Sequence, residues 1–266
     1  MIINPVGTAS ADWNLLKKPL RLWGIESIKN LKVGTNQQIY LATNTFNMSF
    51  VVRVVSFTPE REALWRSLSQ YQLPHLGQII GYQKWESCLL ILEKHYSGRV
   101  LTDCIHNVGC FECNDIILAG VQMVKDLSVL YQREEILHLD IKPDNIMIDA
   151  FGNATLLDFG ASLSGILKLD LMKIDQYGTP SYTAPERLMA PNKMGALTDL
   201  HSLSKTLKVW LSSQNHSHYE LWQELTKWEE KGMQMLRESA LKSDKAESDA
   251  HHYEAYINDL LGQIST

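Results

Sequence analysis

The stretch His138-Leu-Asp-Ile-Lys-Pro-Asp-Asn145, answered shortly afterwards by Asp158-Phe-Gly160, constrains this 266-residue chain more than any other feature. Asn145-Ile-Met-Ile-Asp149 alternates like a strand, Ala150-Phe-Gly-Asn153 has turn chemistry, and Ala154-Thr-Leu-Leu157 is a second short apolar strand. The chain therefore doubles back and returns Asp158 beside Asn145. Asn145 and Asp158 then offer hard oxygens suited to Mg²⁺. Asp140 is placed to accept a hydroxyl proton, and Lys142 to meet charge on a moving phosphoryl group, a transfer that needs positioning more than covalent help. A lone D-F-G is weak evidence; the order H-x-D-x-K-x-x-N, hairpin, D-F-G carries the reading.

That order resembles the eukaryotic-type protein kinases. The resemblance implies an α+β, bilobal protein-kinase-like fold over residues 1–266 as a single domain. A small antiparallel β-sheet lobe would run to about residue 95, and a mainly helical lobe with a shortened C-terminal part from about 96. It implies ATP and Mg²⁺ as cofactors, Asp140 as base, Asn145 and Asp158 as metal ligands, and His138 as a packed structural residue. Leu139 stands where kinases switched by activation-loop phosphorylation carry arginine, which predicts activity independent of such phosphorylation.

Gly178-Thr-Pro-Ser-Tyr-Thr-Ala-Pro-Glu186 resembles the substrate-docking end of a protein-kinase activation segment, and this points to a protein substrate. The resemblance places Thr179 near Asp140 and Lys142, and Lys142 itself fits a Ser/Thr kinase. If Glu186 keeps the family's structural ion pair, Arg237 is its arginine candidate, being the only arginine after Arg187. Thr198-Asp-Leu-His-Ser-Leu-Ser-Lys-Thr-Leu207 resembles the helix whose aspartate, here Asp199, anchors the backbone of the catalytic loop.

The first lobe departs further from the pattern. Leu31-Lys-Val-Gly34 to Ala42 is similar to the phosphate-covering hairpin, but Gly34 is the one family glycine kept; Lys32 and Gln37 replace the others. Phe50-Val-Val-Arg53-Val-Val55 is a buried-strand pattern with one cation, which demands a partner. Arg53 stands where kinases carry the phosphate-binding lysine, and a guanidinium is no simple replacement. Val-Val-Arg-Val followed by Pro59-Glu-Arg-Glu62 also resembles choline kinases and aminoglycoside phosphotransferases, some of which use arginine here. Thr58-Pro59 is a helix start. Glu62 is the favoured partner of Arg53, with Glu60 left open. Gly77 to Lys84 and Cys88 to Glu93 read as strands. By resemblance, Leu92 limits the depth of the adenine pocket, the backbone of Glu93 to His95 meets the adenine edge, and Tyr96-Ser-Gly98 forms a hinge. Residues 11–30 mix apolar and basic side chains without a clean period and are expected to pack on the back of this lobe.

Composition sets outer bounds. A net charge of −5 gives no support for a nucleic-acid partner. No apolar run reaches the length of a membrane span, and Met1 to Ser10 lacks a secretory pattern, so a cytoplasmic setting is expected. Small kinases with trimmed second lobes occur among bacterial effectors and viral proteins, and that analogy would make the partner a host protein. Cys104, His106, Cys110 and Cys113 have zinc-like spacing, but the second paired motif of a zinc module is absent, and free thiols on a helix and loop are the plainer reading. Three functions follow in order: an active Ser/Thr protein kinase, a nucleotide-binding pseudokinase scaffold, and a small-molecule phosphotransferase.

Overall fold

The structure, a computed structural model, describes residues 9–33, 37–106, 111–164, 179–189, 191, 194–214, 218–239 and 250–264. The chain divides into two compact units, one of Met1–Leu73 with Gly77–Tyr96 and one of Pro74–Leu76 with Ser97–Thr266. The fold is mixed α+β: a β-sheet unit followed by a mainly helical one.

The first unit is built on a five-stranded antiparallel sheet in the order β1-β2-β3-β5-β4. Its strands are β1 (Ile25–Val33), β2 (Gln37–Asn44), β3 (Ser49–Ser56), β4 (Ile79–Trp85) and β5 (Cys88–Lys94). Strand alternation sorts the side chains between the two faces. Tyr40, Ala42, Val52, Val54, Leu90 and Leu92 share one face and pack with Leu16 and Leu20 of α1 (Ala9–Arg21) and with Ile25. Pro19 and a run of basic residues blur the apolar stripe of α1 in the sequence, yet Leu16 and Leu20 are fully buried. Helix α2 (Pro59–Leu68) buries Leu64, Trp65 and Leu68; Thr58 caps it by accepting the Arg61 N–H at 3.2 Å, and Pro59 fills the first turn.

The second unit carries α3 (Leu101–Ile105), α4 (Cys113–Glu134), α5 (Pro185–Met189), α6 (Ala196–Ser212), α7 (Tyr219–Ser239) and α8 (Ala250–Gly262). Tyr131 of α4 packs on Tyr253 of α8, and Trp228 of α7 on Tyr256. Short strands β6 (Arg99–Val100), β8 (Ile146–Ile148) and β9 (Ala154–Leu156) form one sheet, and β7 (Ile136–Leu137) pairs with β10 (Leu163–Ser164). The small insertion Pro74–Leu76 joins this unit: Leu156 N–H donates to the His75 carbonyl at 2.8 Å, and His75 N–H donates to Asp126 at 2.8 Å.

Gly98, expected as part of a hinge, is required for a steric reason. A Cβ there would lie 2.2 Å from the Ile148 carbonyl oxygen, a backbone atom that cannot step aside. Gly98→Ala should therefore lower stability by about 1–3 kcal/mol, read as a lower denaturant midpoint with unchanged slope; an unshifted midpoint would contradict this approach of the two backbones.

Cys104 is buried in α3, Cys113 opens α4, and Cys110 lies outside the described residues. Among the described residues no three His, Cys, Asp or Glu side chains gather as a metal would need, and no helix is long and apolar enough to cross a membrane.

Candidate active site

The β8–β9 hairpin pairs Ile146 with Leu156, and Leu157 N–H donates to the Asn145 carbonyl at 2.7 Å, which brings Asn145 and Asp158 to adjacent strand ends. Beside them stands a triangle of side chains. Lys142 Nζ donates to Asp140 Oδ2 at 2.8 Å and to Thr179 Oγ1 at 2.7 Å, and Thr179 Oγ1 donates to Asp140 Oδ1 at 3.4 Å. Asn145 Nδ2 donates to the Asp140 carbonyl at 2.8 Å and to Asp140 Oδ2 at 3.0 Å. With its nitrogen so committed, Asn145 turns its amide oxygen away from Asp140, as a ligand for a hard cation must be turned. Asp158 sits in the left-handed region, φ +68°, and its Oδ1 accepts the Gly160 N–H at 3.0 Å.

Beneath the triangle lies a buried scaffold. Asp199 in α6 accepts the N–H of His138 at 2.7 Å and that of Leu139 at 2.9 Å. Burial pushes its carboxyl upward, against the pull of His138, the two amides and Arg187. Burial likewise holds the His138 imidazole below its ordinary range, hence neutral. A neutral ring suits its bonds: Nδ1 accepts the Asp140 N–H at 3.3 Å while Nε2 donates to the Leu157 carbonyl at 3.1 Å. His138 also packs against Phe159, ring centroids 4.9 Å apart.

In the first unit, Arg53 is buried on the sheet face opposite the Leu16 core. Its Nε donates to Glu93 Oε1 at 2.7 Å and its Nη1 to Gln37 Oε1 at 2.5 Å, with the guanidinium 5.9 Å from the Trp65 ring centre. Strand register explains the pairing. Arg53 stands opposite Ile91 of β5 and Ile39 of β2, so Glu93 and Gln37 are its diagonal neighbours on the same face.

Residues 33–264 match the family described as the protein kinase domain. The chain belongs to the protein kinase family. Its relatives include CBL-interacting protein kinase 32 of Oryza sativa subsp. japonica, 30% identical over 155 residues that make up 57% of this chain and 35% of that protein. CBL-interacting serine/threonine-protein kinase 3 of Arabidopsis thaliana is 29% identical over 140 residues, 52% of this chain and 32% of the relative. The probable serine/threonine-protein kinase KIN1 homolog of Enterocytozoon bieneusi is 26% identical over 203 residues, 73% and 33% respectively. The matched regions thus span about a third of the length of these relatives.

Within this kinase domain the structure brings together Asp140, Lys142, Asn145 and Thr179, and sets Asp199 under them. In the first unit, two of the singled-out residues lie away from the Arg53 side chain. Glu62 pairs with Arg66 one turn on along α2, at 3.8 Å, and Glu93 pairs with Arg53. Leu92, paired with Val52, packs into the core with Leu16 and Leu20, and the alternation of β5 puts Glu93 on the Arg53 face. His95 follows β5, half-buried. Gly34 lies outside the described residues, as do Gly178 and the segment before it. Glu186 is buried with both carboxylate oxygens unpartnered among the described residues, and the Arg237 side chain lies outside them. Sequence reasoning missed Arg187, which is buried in α5 and donates from Nη1 to the Leu139 carbonyl. Its signal was an arginine directly after Ala-Pro-Glu.

Proposed function

We propose that this kinase domain transfers the γ-phosphoryl group of Mg-ATP to a serine or threonine hydroxyl of a protein. The observation that carries the reading is the Asp140–Lys142–Thr179 triangle, with Asn145 bonded to its base. In the transfer the acceptor oxygen bonds to the γ-phosphorus, the bond to the β-phosphate bridging oxygen breaks, ADP leaves, and the hydroxyl proton passes to Asp140. Lys142, held by Asp140 and Thr179, faces the negative charge on the moving group. Asn145 and Asp158 would hold Mg²⁺, which when bound neutralises phosphate oxygens. Thr179 ties the end of the activation segment to the base, an arrangement that suits a peptide acceptor. Arg53 is the first unit's cation for the phosphates.

A second reading, a nucleotide-binding scaffold without transfer, is favoured by one observation: Arg53 replaces lysine and is already engaged by Glu93 and Gln37. Transfer of labelled phosphate from ATP to generic protein substrates, comparing wild type with Asp158→Ala and Arg53→Ala, separates the two. Transfer that Asp158→Ala abolishes supports the kinase; nucleotide binding without transfer in any of the three supports the scaffold. Phosphatase-treated wild type should keep most of its activity, since Leu139 offers no docking group for a loop phosphate. Loss of most activity on that treatment would contradict phosphorylation-independence.

A further inference from the structure

We infer that Arg187 is a positioning residue for Asp140, locking the backbone of the catalytic loop from the helix that ends the substrate-docking segment; the inference rests on the kinase reading and deepens it. From His138 through Asp140, each backbone N–H and C=O meets a side chain. Asp199 accepts the His138 and Leu139 N–H groups, and His138 Nδ1 accepts the Asp140 N–H. Ser162 Oγ donates to the His138 carbonyl at 3.1 Å, and Asn145 Nδ2 to the Asp140 carbonyl at 2.8 Å. The Leu139 carbonyl takes its bond from Arg187.

That carbonyl is the exacting one. Leu139 has φ +65°, a backbone region that a branched L side chain enters only under constraint. The conformation turns the carbonyl toward a region where Leu139 is 3% and Arg187 2% exposed, out of reach of bulk water. A buried carbonyl without a donor would favour flipping the peptide plane, and flipping it would carry Asp140, the next residue, away from Lys142 and Thr179. The charge-assisted Arg187 bond opposes the flip from the carbonyl side while Asp199 holds the N–H side. Because Arg187 sits directly after Pro185 and Glu186 in α5, the same short helix that follows Thr179 also fixes the loop Thr179 touches. Acceptor positioning and base positioning are thereby coupled with no added phosphate.

The test compares wild type, Arg187→Met and Arg187→Lys, each assayed well below its Tm. Arg187→Met should lower kcat by about 100-fold, the cost of a misplaced catalytic group, with KM for ATP near the wild-type value. Arg187→Lys should recover part of kcat, because one ammonium donor suffices for one carbonyl. Amide hydrogen exchange of residues 138–141 should quicken in Arg187→Met and not in Arg187→Lys. An Arg187→Met protein with wild-type kcat, or one whose kcat loss follows only the fraction unfolded, overturns the inference. Should wild type transfer no phosphate at all, the kinase reading fails separately. The exchange experiment then decides whether the clamp exists, and unchanged exchange in Arg187→Met would dismiss it.

Discussion

Asp140→Asn should lower kcat for phosphoryl transfer by about 10²–10⁴-fold while leaving Tm and the KM for ATP near their wild-type values. The substitution keeps size and shape, so the Asn145 bond to the residue 140 carbonyl and the two Asp199 bonds beneath the loop persist. What it removes is charge and basicity. In the wild type both carboxylate oxygens accept, Oδ2 from Lys142 and Asn145 and Oδ1 from Thr179. An amide has one acceptor oxygen, so one of these donors would face an NH₂ group, and Lys142 loses its counter-ion. Under the proposed transfer, the residue can no longer take the hydroxyl proton. Steady-state transfer of labelled phosphate gives kcat and KM separately, and that separation matters: a loss confined to kcat marks an interaction used in the transition state. Equal kcat for the two proteins would remove Asp140 from the reaction.

The half of the candidate site around Asp140 was legible because its geometry is local. Asn145 and Asp158 are brought together by a short hairpin whose turn and alternating strands are visible in the residues, and the β8–β9 register follows from them. Asp199 is distant in sequence, but the motif around it resembles a known helix and its role followed from that. The Arg53 surroundings were not legible in the same way. Which acid meets a strand cation depends on register and face, and both Leu92 and Glu93 lie close enough in sequence that a shift of one residue exchanges them. Resemblance favoured Glu62 and left Glu60 open; the strand register adds Glu93, a diagonal cross-strand neighbour of Arg53. Arg187 escaped for another reason. Its partner is a backbone carbonyl exposed by the positive φ of Leu139, and no side-chain pattern announces where a buried carbonyl needs a donor. Helix α1 was missed because Pro19 and the lysines obscured its stripe, although burial of Leu16 and Leu20 against the sheet is what stabilises it.

Glu93→Ala should destabilise the protein by about 3–5 kcal/mol, the cost of removing one partner of a buried ion pair, whereas Glu62→Ala should change stability by about 0.5 kcal/mol or less. The contrast follows from exposure. The Arg53 and Glu93 side chains are 3% and 14% exposed and meet at 2.7 Å; those of Arg66 and Glu62 are 56% and 29% exposed and stand 3.8 Å apart. Gln37 and Trp65 remain beside Arg53 in Glu93→Ala, but the 2.7 Å charge-assisted bond from its Nε is lost. Denaturant midpoints measure both effects. The double variant Arg53→Met/Glu93→Leu should recover most of the stability, because an apolar pair of similar volume needs no compensation. It also parts structure from function. A double variant that folds as firmly as wild type but transfers no phosphate would mean that Arg53 serves the nucleotide and that Glu93 holds it in place for that purpose. Full transfer by the same protein would leave the pair a purely structural one, and the phosphate grip would have to come from another residue of the first unit.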